Sequence, residues 1–190
     1  MEKNQEYTIK KTLQGQKIAL VHDFLLTAGG AERVLAVLAE MFPEAPIYTL
    51  LYDAEKMGGA LAGKDIRPSF LQKFPKWLRR RHRFLLPFYP VAVETFDLRE
   101  FDLVISSSGA WSKGVITRLN TQHVAYIHSP MRYAWDYHEA YLRELGGGNR
   151  SLLKRILLSY LRVWDRQAAD RPDWIISNSQ YTQARVKKYY

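Results

Sequence analysis

The chain has 190 residues, of which 47% are hydrophobic and 13% aromatic. This size suits one domain with a substantial core, and the aromatic content argues against a disordered chain. There are no cysteines, so disulfides and thiolate chemistry are excluded. The formal net charge of +9 indicates a polyanionic partner, which could be nucleic acid, anionic lipid or phosphate groups.

The N-terminal segment, residues 1–16, is polar and contains no apolar stretch typical of a secretory signal. We predict a flexible extension there, followed by one folded domain over residues 17–190. No apolar run reaches the roughly 20 residues that a membrane-spanning helix needs. Together these features favour a cytoplasmic protein.

The first apolar segment, Lys17–His22, has the continuous hydrophobic character of a strand that is buried on both faces. A glycine-containing loop follows, and from Ala31 onward apolar residues recur at helical spacing until Pro43 ends the helix. The segment Pro46–Leu50 then predicts a second strand. This order of strand, helix and strand predicts an α/β fold with right-handed crossovers.

The loop between the first strand and the first helix contains Gly29 and Gly30. Glycines let the backbone approach a ligand closely, and a helix N-terminus offers free N–H groups and the positive end of a dipole. The loop therefore predicts either contact with a phosphate or a tight turn only. A nicotinamide-dependent oxidoreductase is disfavoured, because the spacing is not G-x-G-x-x-G and Asp53 lies beyond the predicted second strand.

A basic aromatic segment, Ile66–Val93, contains seven Lys or Arg residues and no Asp or Glu. Between Pro75 and Pro87 we predict one helix. It should place four apolar side chains on one side: Trp77, Leu78, Phe84 and Leu85.

A basic helix with aromatic residues on its other face is typical of helices that lie in a membrane interface. We therefore assign membrane binding to six residues: Lys76, Trp77, Arg79, Arg80, Arg81 and Arg83. An ordinary solvated surface is the main alternative. Nucleic acid is not expected as a partner, because no nucleic-acid-binding motif accompanies the cations.

Three further strands are predicted at Asp102–Ser106, His123–Ile127 and Trp174–Ser177. Each apolar run stops at small or polar residues, and in open parallel sheets ligands bind at the carboxyl ends of the strands. His22 and His128 both end predicted strands, so both should face that crevice, unless they are structural histidines. The histidines lack the spacing of metal ligands, and no bound metal is expected.

Residues 128–136 are dense in polar and aromatic groups. Arg132 could bind phosphate, while Tyr133 and Trp135 either offer flat faces to a sugar or pack in the core.

A flexible loop is predicted at residues 145–150. Helical spacing then predicts a long helix from Leu153 to Ala168, and Ser179 predicts the N-cap of a last helix.

Four segments, in this order, resemble the N-terminal domain of glycosyltransferase family 4, especially its mannosyltransferase-like members: KIALVHDFLLTAGGAERVL, FDLVISSSGAWSKGV, HVAYIHSPMRYAWD and DWIISNSQYTQARV. The resemblance runs from about Lys17 to Tyr190. It implies the GT-B architecture, in which two Rossmann-like domains face each other across a cleft. The fold expected for this chain is a Rossmann-like open parallel sheet with helices on both faces. The resemblance also implies retaining transfer of a hexose from a nucleotide sugar, GDP- or UDP-linked, without a cofactor or bound metal.

Carried over by motif, the resemblance implies that Gly29 and Gly30 approach the donor diphosphate and that His128 hydrogen-bonds the transferred sugar. The remaining candidates are on the acceptor side: Asp23, Ser108, Trp111, Lys113, Arg132 and Tyr133. The acceptor would be a lipid-linked molecule or a polysaccharide at the inner face of a bacterial membrane.

The family's E-x7-E motif and most of its nucleotide-sugar contacts lie in a second domain that the sequence does not contain. We therefore expect the chain to be inactive by itself. The alternative is a non-catalytic module that binds a glycan or an anionic membrane surface.

Overall fold

A computed structural model describes residues 15–59, 61–144 and 151–190. The predicted flexible extension, apart from its last two residues, and the predicted loop at 145–150 lie outside the described residues.

Strands and helices alternate along most of the described chain. The strands are β1 (Ile18–Leu25), β2 (Ile47–Tyr52), β3 (Ile66–Pro68), β4 (Leu103–Ser108), β5 (Gln122–Ile127) and β6 (Trp174–Ser177). The α-helices are α1 (Gly30–Met41), α2 (Ala54–Met57), α3 (Lys76–Arg80), α4 (Tyr89–Glu94), α5 (His138–Glu144), α6 (Ser151–Ala168) and α7 (Gln180–Tyr189). Short 3₁₀ helices cover Phe70–Lys73, His82–Phe88 and Ser112–Gly114.

All six strands are parallel and form one sheet in the order β3-β2-β1-β4-β5-β6. This is the strand order of Rossmann folds, in which the order reverses direction between β1 and β4. The β1–β4 register places His22 beside Ser107 near the carboxyl ends of both strands. The predicted α/β class is confirmed.

Two apolar cores lie on opposite faces of the sheet because successive strand side chains point to opposite faces. On one face, Leu20 of β1 packs in a cluster with Leu35 and Ala39 of α1. On the other face, the neighbouring Val21 belongs to the larger cluster, which includes residues of α4 and α6. Helices therefore cover both faces, as predicted.

Strand boundaries differ from the sequence prediction at two positions that matter for the site. β1 continues to Leu25, so Asp23 lies within the strand. β2 continues to Tyr52, so Asp53 follows it directly. The predicted separation of Asp53 from the end of the second strand was therefore wrong. The short edge strand β3, Ile66–Pro68, was not predicted.

The basic aromatic segment does not form the single predicted helix. Helix α3 ends at Arg80, Arg81 leaves the helical region with φ −100° and ψ 44°, and a 3₁₀ helix that includes Pro87 follows. The four apolar residues predicted to share one side of a helix are therefore divided between α3 and the 3₁₀ helix. Leu85 is only 1% exposed, whereas Trp77 is 65% and Phe84 67% exposed. Burying Leu85 in the core favours this break over an uninterrupted helix.

No helix among the described residues is both long and apolar enough to cross a membrane.

Candidate active site

The candidate site lies where the strand order reverses, at the carboxyl ends of β1, β4 and β5. The Gly29–Gly30 loop follows β1, and residues 109–112 follow β4. His128 follows β5 directly, and its N–H donates to the Ser108 carbonyl at 2.8 Å. In open parallel sheets this reversal point forms the ligand crevice.

The two glycines of the loop have different surroundings. Gly29 is the N-cap of α1, and its N–H donates to Glu32 Oε2 at 2.9 Å. A Cβ at Gly29 would lie 2.8 Å from that carboxylate oxygen, whereas a Cβ at Gly30 would meet no atom within 4 Å. Gly30 therefore borders open space at the N-terminus of a 12-residue helix.

Glu32 connects the glycine loop to the histidines of the strand ends. Its Oε1 lies 3.7 Å from His22 Nε2, and the rings of His22 and His128 have centroids 6.4 Å apart in an edge-to-face arrangement. Gly29, Glu32, His22 and His128 thus form one connected group. Burial raises the pKa of Glu32, but the interaction with nearby His22 and hydrogen bonds from backbone N–H groups outweigh it, and the net shift is downward.

His128 is held from two sides. Its Nε2 lies 2.8 Å from Ser107 Oγ, and its carbonyl accepts hydrogen bonds from Asn178 Nδ2 and Thr182 Oγ1, each at 3.3 Å. Burial lowers the pKa of His128, the charge of nearby His22 lowers it further, and the carboxylates of Asp23 and Glu32 oppose the shift. A largely neutral imidazole can exchange hydrogen bonds with a neutral ligand such as a sugar hydroxyl.

Asp23 organises the loop that follows β4. Both of its carboxylate oxygens accept backbone hydrogen bonds, from the N–H groups of Gly109, Ala110, Trp111 and Ser112 at 2.6–3.1 Å. The side chain is only 9% exposed. Four charge-assisted hydrogen bonds to one carboxylate fix the loop relative to β1.

Lys113 lies behind this loop in a buried ion pair. Its Nζ is 2.5 Å from Asp165 Oδ1, and the side chains are 1% and 0% exposed. Trp135 Nε1 donates to the other oxygen of Asp165 at 2.7 Å. Lys113 therefore joins the β4 loop to helix α6 in this structure.

Most of the chain matches one family of known proteins. Residues 28–190 match the family described as Glycosyltransferase Family 4. The chain belongs to glycosyltransferase family 4. Membership indicates glycosyltransferase activity, with a sugar donor and an acceptor. The comparisons with curated proteins and with solved structures found no match.

The other acceptor-side candidates of this glycosyltransferase lie in three environments. Ser108 and Trp111 are each 1% exposed, and the Trp111 ring packs 5.0 Å from the Tyr89 ring between centroids. Tyr133 borders a cavity of about 230 Å³ but its hydroxyl is buried without a hydrogen-bond partner. Arg132 is exposed. Their roles, like those of Asp23 and Lys113, stay predictions.

The residues assigned to membrane binding lie mostly on the surface of this family member. Arg79 is half-buried, and the other five are exposed: Lys76, Trp77, Arg80, Arg81 and Arg83.

Among the described residues, no three His, Asp or Glu side chains gather closely enough to hold a metal ion. The expectation of a metal-free site therefore stays a prediction.

The structure adds residues that the sequence prediction did not assign to the site. Glu32 had a local signal, because an acidic residue three positions after an N-cap can reach back to the N-cap N–H. Ser107 stood among the polar residues that end β4. Asp165 had no local signal, because its partner Lys113 is 52 residues away in sequence.

Proposed function

We propose that this chain is the acceptor-side domain of a retaining, nucleotide-sugar-dependent glycosyltransferase. One observation carries the proposal: the open helix N-terminus at Gly30 lies on the same sheet edge as His128, whose lowered pKa favours the neutral ring. Glu32 and His22 connect the two positions. An anion site beside a hydrogen-bonding site is the arrangement that a sugar diphosphate requires.

The glycine loop would act electrostatically. Transfer of the sugar leaves negative charge on a nucleoside diphosphate, and the first N–H groups of α1 have no partner within the helix. Together with the helix dipole they would stabilise that charge as it develops. Since Glu32 already accepts the Gly29 N–H, the open position at Gly30 is the better point of approach.

His128 would orient the transferred sugar. Ser107 sets the ring orientation through Nε2, and the contacts of Asn178 and Thr182 hold the backbone carbonyl. The lowered pKa favours the neutral ring, which can either donate to or accept from a hydroxyl.

The finer assignment follows the sequence resemblance. We propose a mannosyltransferase-like enzyme that transfers a hexose from a GDP- or UDP-linked donor to a lipid-linked or polysaccharide acceptor at the inner face of a bacterial membrane. A second domain would supply most donor contacts, and the 190-residue chain alone would not turn over.

The second candidate is a non-catalytic module that binds an anionic membrane surface. The exposed Trp77 and Phe84 beside the cations of the same segment favour it.

A Gly30→Val change tests the enzyme proposal, measured as sugar transfer by the chain joined to its donor-binding domain. The added side chain enters open space, so folding should be retained while turnover falls about 100-fold, as for loss of a preorganised anion site. Ala140→Val, at an exposed position of α5, is the control and should keep full activity. Wild-type turnover in Gly30→Val would remove the loop from the mechanism.

Calorimetry with GDP, UDP and NAD separates the function classes. The proposal expects binding of one nucleoside diphosphate by the joined enzyme and none of NAD. Binding of NAD alone would support the oxidoreductase class instead.

A further inference from the structure

The segment that begins with His128, residues 128–136, contains neither strand nor α-helix, so its shape depends strongly on contacts with other elements. Helix α7 supplies contacts at both of its ends. Thr182 Oγ1 donates to the His128 carbonyl at 3.3 Å, and the Tyr189 hydroxyl donates to Asp136 Oδ1. One helix therefore holds the first and the last residue of the segment.

Arg185 lies between these two contacts. Its position, three residues after the first and four before the second, places it on the same helix face. Its Nη1 donates to Ser129 Oγ at 2.5 Å, and its Nη2 forms an ion pair with the Asp136 carboxylate. A single guanidinium group thus connects the neighbour of His128 to the far end of the segment.

The guanidinium group of Arg185 is buried, since the residue is only 8% exposed. Its Cζ lies 5.8 Å from the Tyr181 ring centroid and 5.9 Å from that of Tyr189. Burying a charge is costly, and an apolar side chain of similar size would often stabilise such a contact at least as well. What the arginine adds is direction, because its planar fork fixes the geometry of both partners at once.

We propose that Arg185 is a positioning residue for sugar transfer, which fixes the 128–136 segment against α7 so that the His128 imidazole keeps one orientation at the crevice. The inference rests on the proposed function, because it assigns a further residue to the reaction of that site. Arg185 acts through Ser129 and Asp136 and does not itself contact the sugar.

Kinetics of an Arg185→Ala variant test the assignment, measured with the chain joined to its donor-binding domain. We expect kcat to fall about 100-fold, because a small displacement of a positioning group disturbs the reacting geometry. The KM for the nucleotide sugar should stay unchanged, since the second domain would supply most donor contacts. Lys187→Ala removes a cation from an exposed position of the same helix and should alter neither constant.

Chemical rescue separates positioning from a loss of stability. Guanidinium chloride, at a concentration too low to unfold the protein, should restore part of kcat in Arg185→Ala, because the ion can bind Ser129 and Asp136 in the space left by the side chain. Urea has the same planar shape without the charge and should restore nothing. A variant that is only less stable would lose further activity in both solutes, since both are denaturants.

An NMR titration of the imidazole groups in the 190-residue chain measures the position of His128 without any transferase assay. Burial lowers the pKa of His128 in the folded protein. The titratable groups that surround its ring are His22 and Asp23 of β1, Glu32 of α1 and Tyr126 of β5. In Arg185→Ala the released segment should admit water to the ring, so the pKa should rise toward about 6.5. Lys187→Ala should leave it unchanged.

An unchanged kcat in Arg185→Ala, equal effects of guanidinium and urea, or an unchanged pKa of His128 would overturn the assignment. If the wild-type joined enzyme transfers no sugar, the proposed function fails by itself. The imidazole titration then decides alone whether Arg185 fixes His128.

Discussion

The sheet edge around Asp23 and the basic aromatic segment are both rich in polar residues, but they are built in opposite ways. At the sheet edge, Asp23 and Lys113 are buried and hydrogen-bonded to several elements. In the basic segment, Lys76 and Arg80 are exposed and have no carboxylate partner in the described chain. The first arrangement positions groups inside the protein, whereas the second leaves charge available to an external ligand.

The energetic consequences differ accordingly. A buried charge that loses its partner stays desolvated without compensation, so changes at the sheet edge should lower the stability of the fold. An exposed cation stays hydrated, so changes in the basic segment should alter binding and leave folding nearly unchanged. Four measurements test this contrast.

The largest effect is expected for Lys113→Met, which leaves Asp165 buried without its cation. The free energy of unfolding should fall by about 3–5 kcal/mol in urea denaturation. The double change Lys113→Met/Asp165→Leu should recover part of this loss, because no charge then stays buried. Arg99→Met removes a cation from the exposed pair with Asp97 and should have no measurable effect. Equal stability of the single variant and wild type would contradict an internal role for Lys113.

The second effect is a pH dependence at the sheet interior. Burial lowers the pKa of His123 to about 4, and its Nε2 lies 2.8 Å from Ser106 Oγ. In the unfolded chain the His123 imidazole takes up a proton near pH 6.5, whereas in the folded protein it does so only near pH 4. The free energy of unfolding therefore has its full value above about pH 6.5 and falls as the pH drops toward 4. The loss should be on the order of 3 kcal/mol.

Urea denaturation between pH 7 and pH 4 measures this slope, with His123→Gln as the comparison. The variant should show a flatter profile over that window, because it has no imidazole to protonate. If the free energy of unfolding changes equally with pH in wild type and variant, groups other than His123 cause the loss of stability in acid.

The third effect comes from Asp23→Asn. An amide nitrogen in place of one carboxylate oxygen would face N–H donors of the 109–112 loop, so the free energy of unfolding should fall by about 2 kcal/mol. Asp102→Asn is the control: Asp102 is exposed, and its carboxylate accepts only the Lys17 N–H among the described contacts. A loss no larger than that of the control would show that the loop does not depend on Asp23.

The smallest effect on folding is expected in the basic segment. Trp77→Ala should leave the free energy of unfolding within about 0.5 kcal/mol of wild type. Affinity for anionic vesicles should nevertheless fall roughly tenfold, since the ring loses its apolar contact with the bilayer. Leu119→Ala removes another exposed apolar side chain, outside this segment, and should change neither quantity. A large loss of stability in Trp77→Ala would remove the contrast between the two regions.

Much of the fold was predictable because its signals are local. Five of the six strands and the helices α1, α6 and α7 follow from apolar patterns in neighbouring residues. The glycine loop and the polar strand ends also placed Gly29, Gly30 and His128 on one edge, since parallel strands share the direction of their carboxyl ends. The match to glycosyltransferase family 4 over residues 28–190 agrees with the family that the sequence resembles.

The amino-acid sequence by itself determined the alternation of strands and helices and the side of the sheet where polar residues gather, because both depend on residues close together in the chain. Tertiary structure alone decided which partners the buried charges have: Asp23 binds N–H groups 86–89 residues away, and Lys113 binds a carboxylate 52 residues away. It also decided the break at Arg81, where local spacing favoured one helix but burial of Leu85 prevailed. Such choices depend on which surfaces meet when the chain folds, and no pattern of neighbouring residues contains that information.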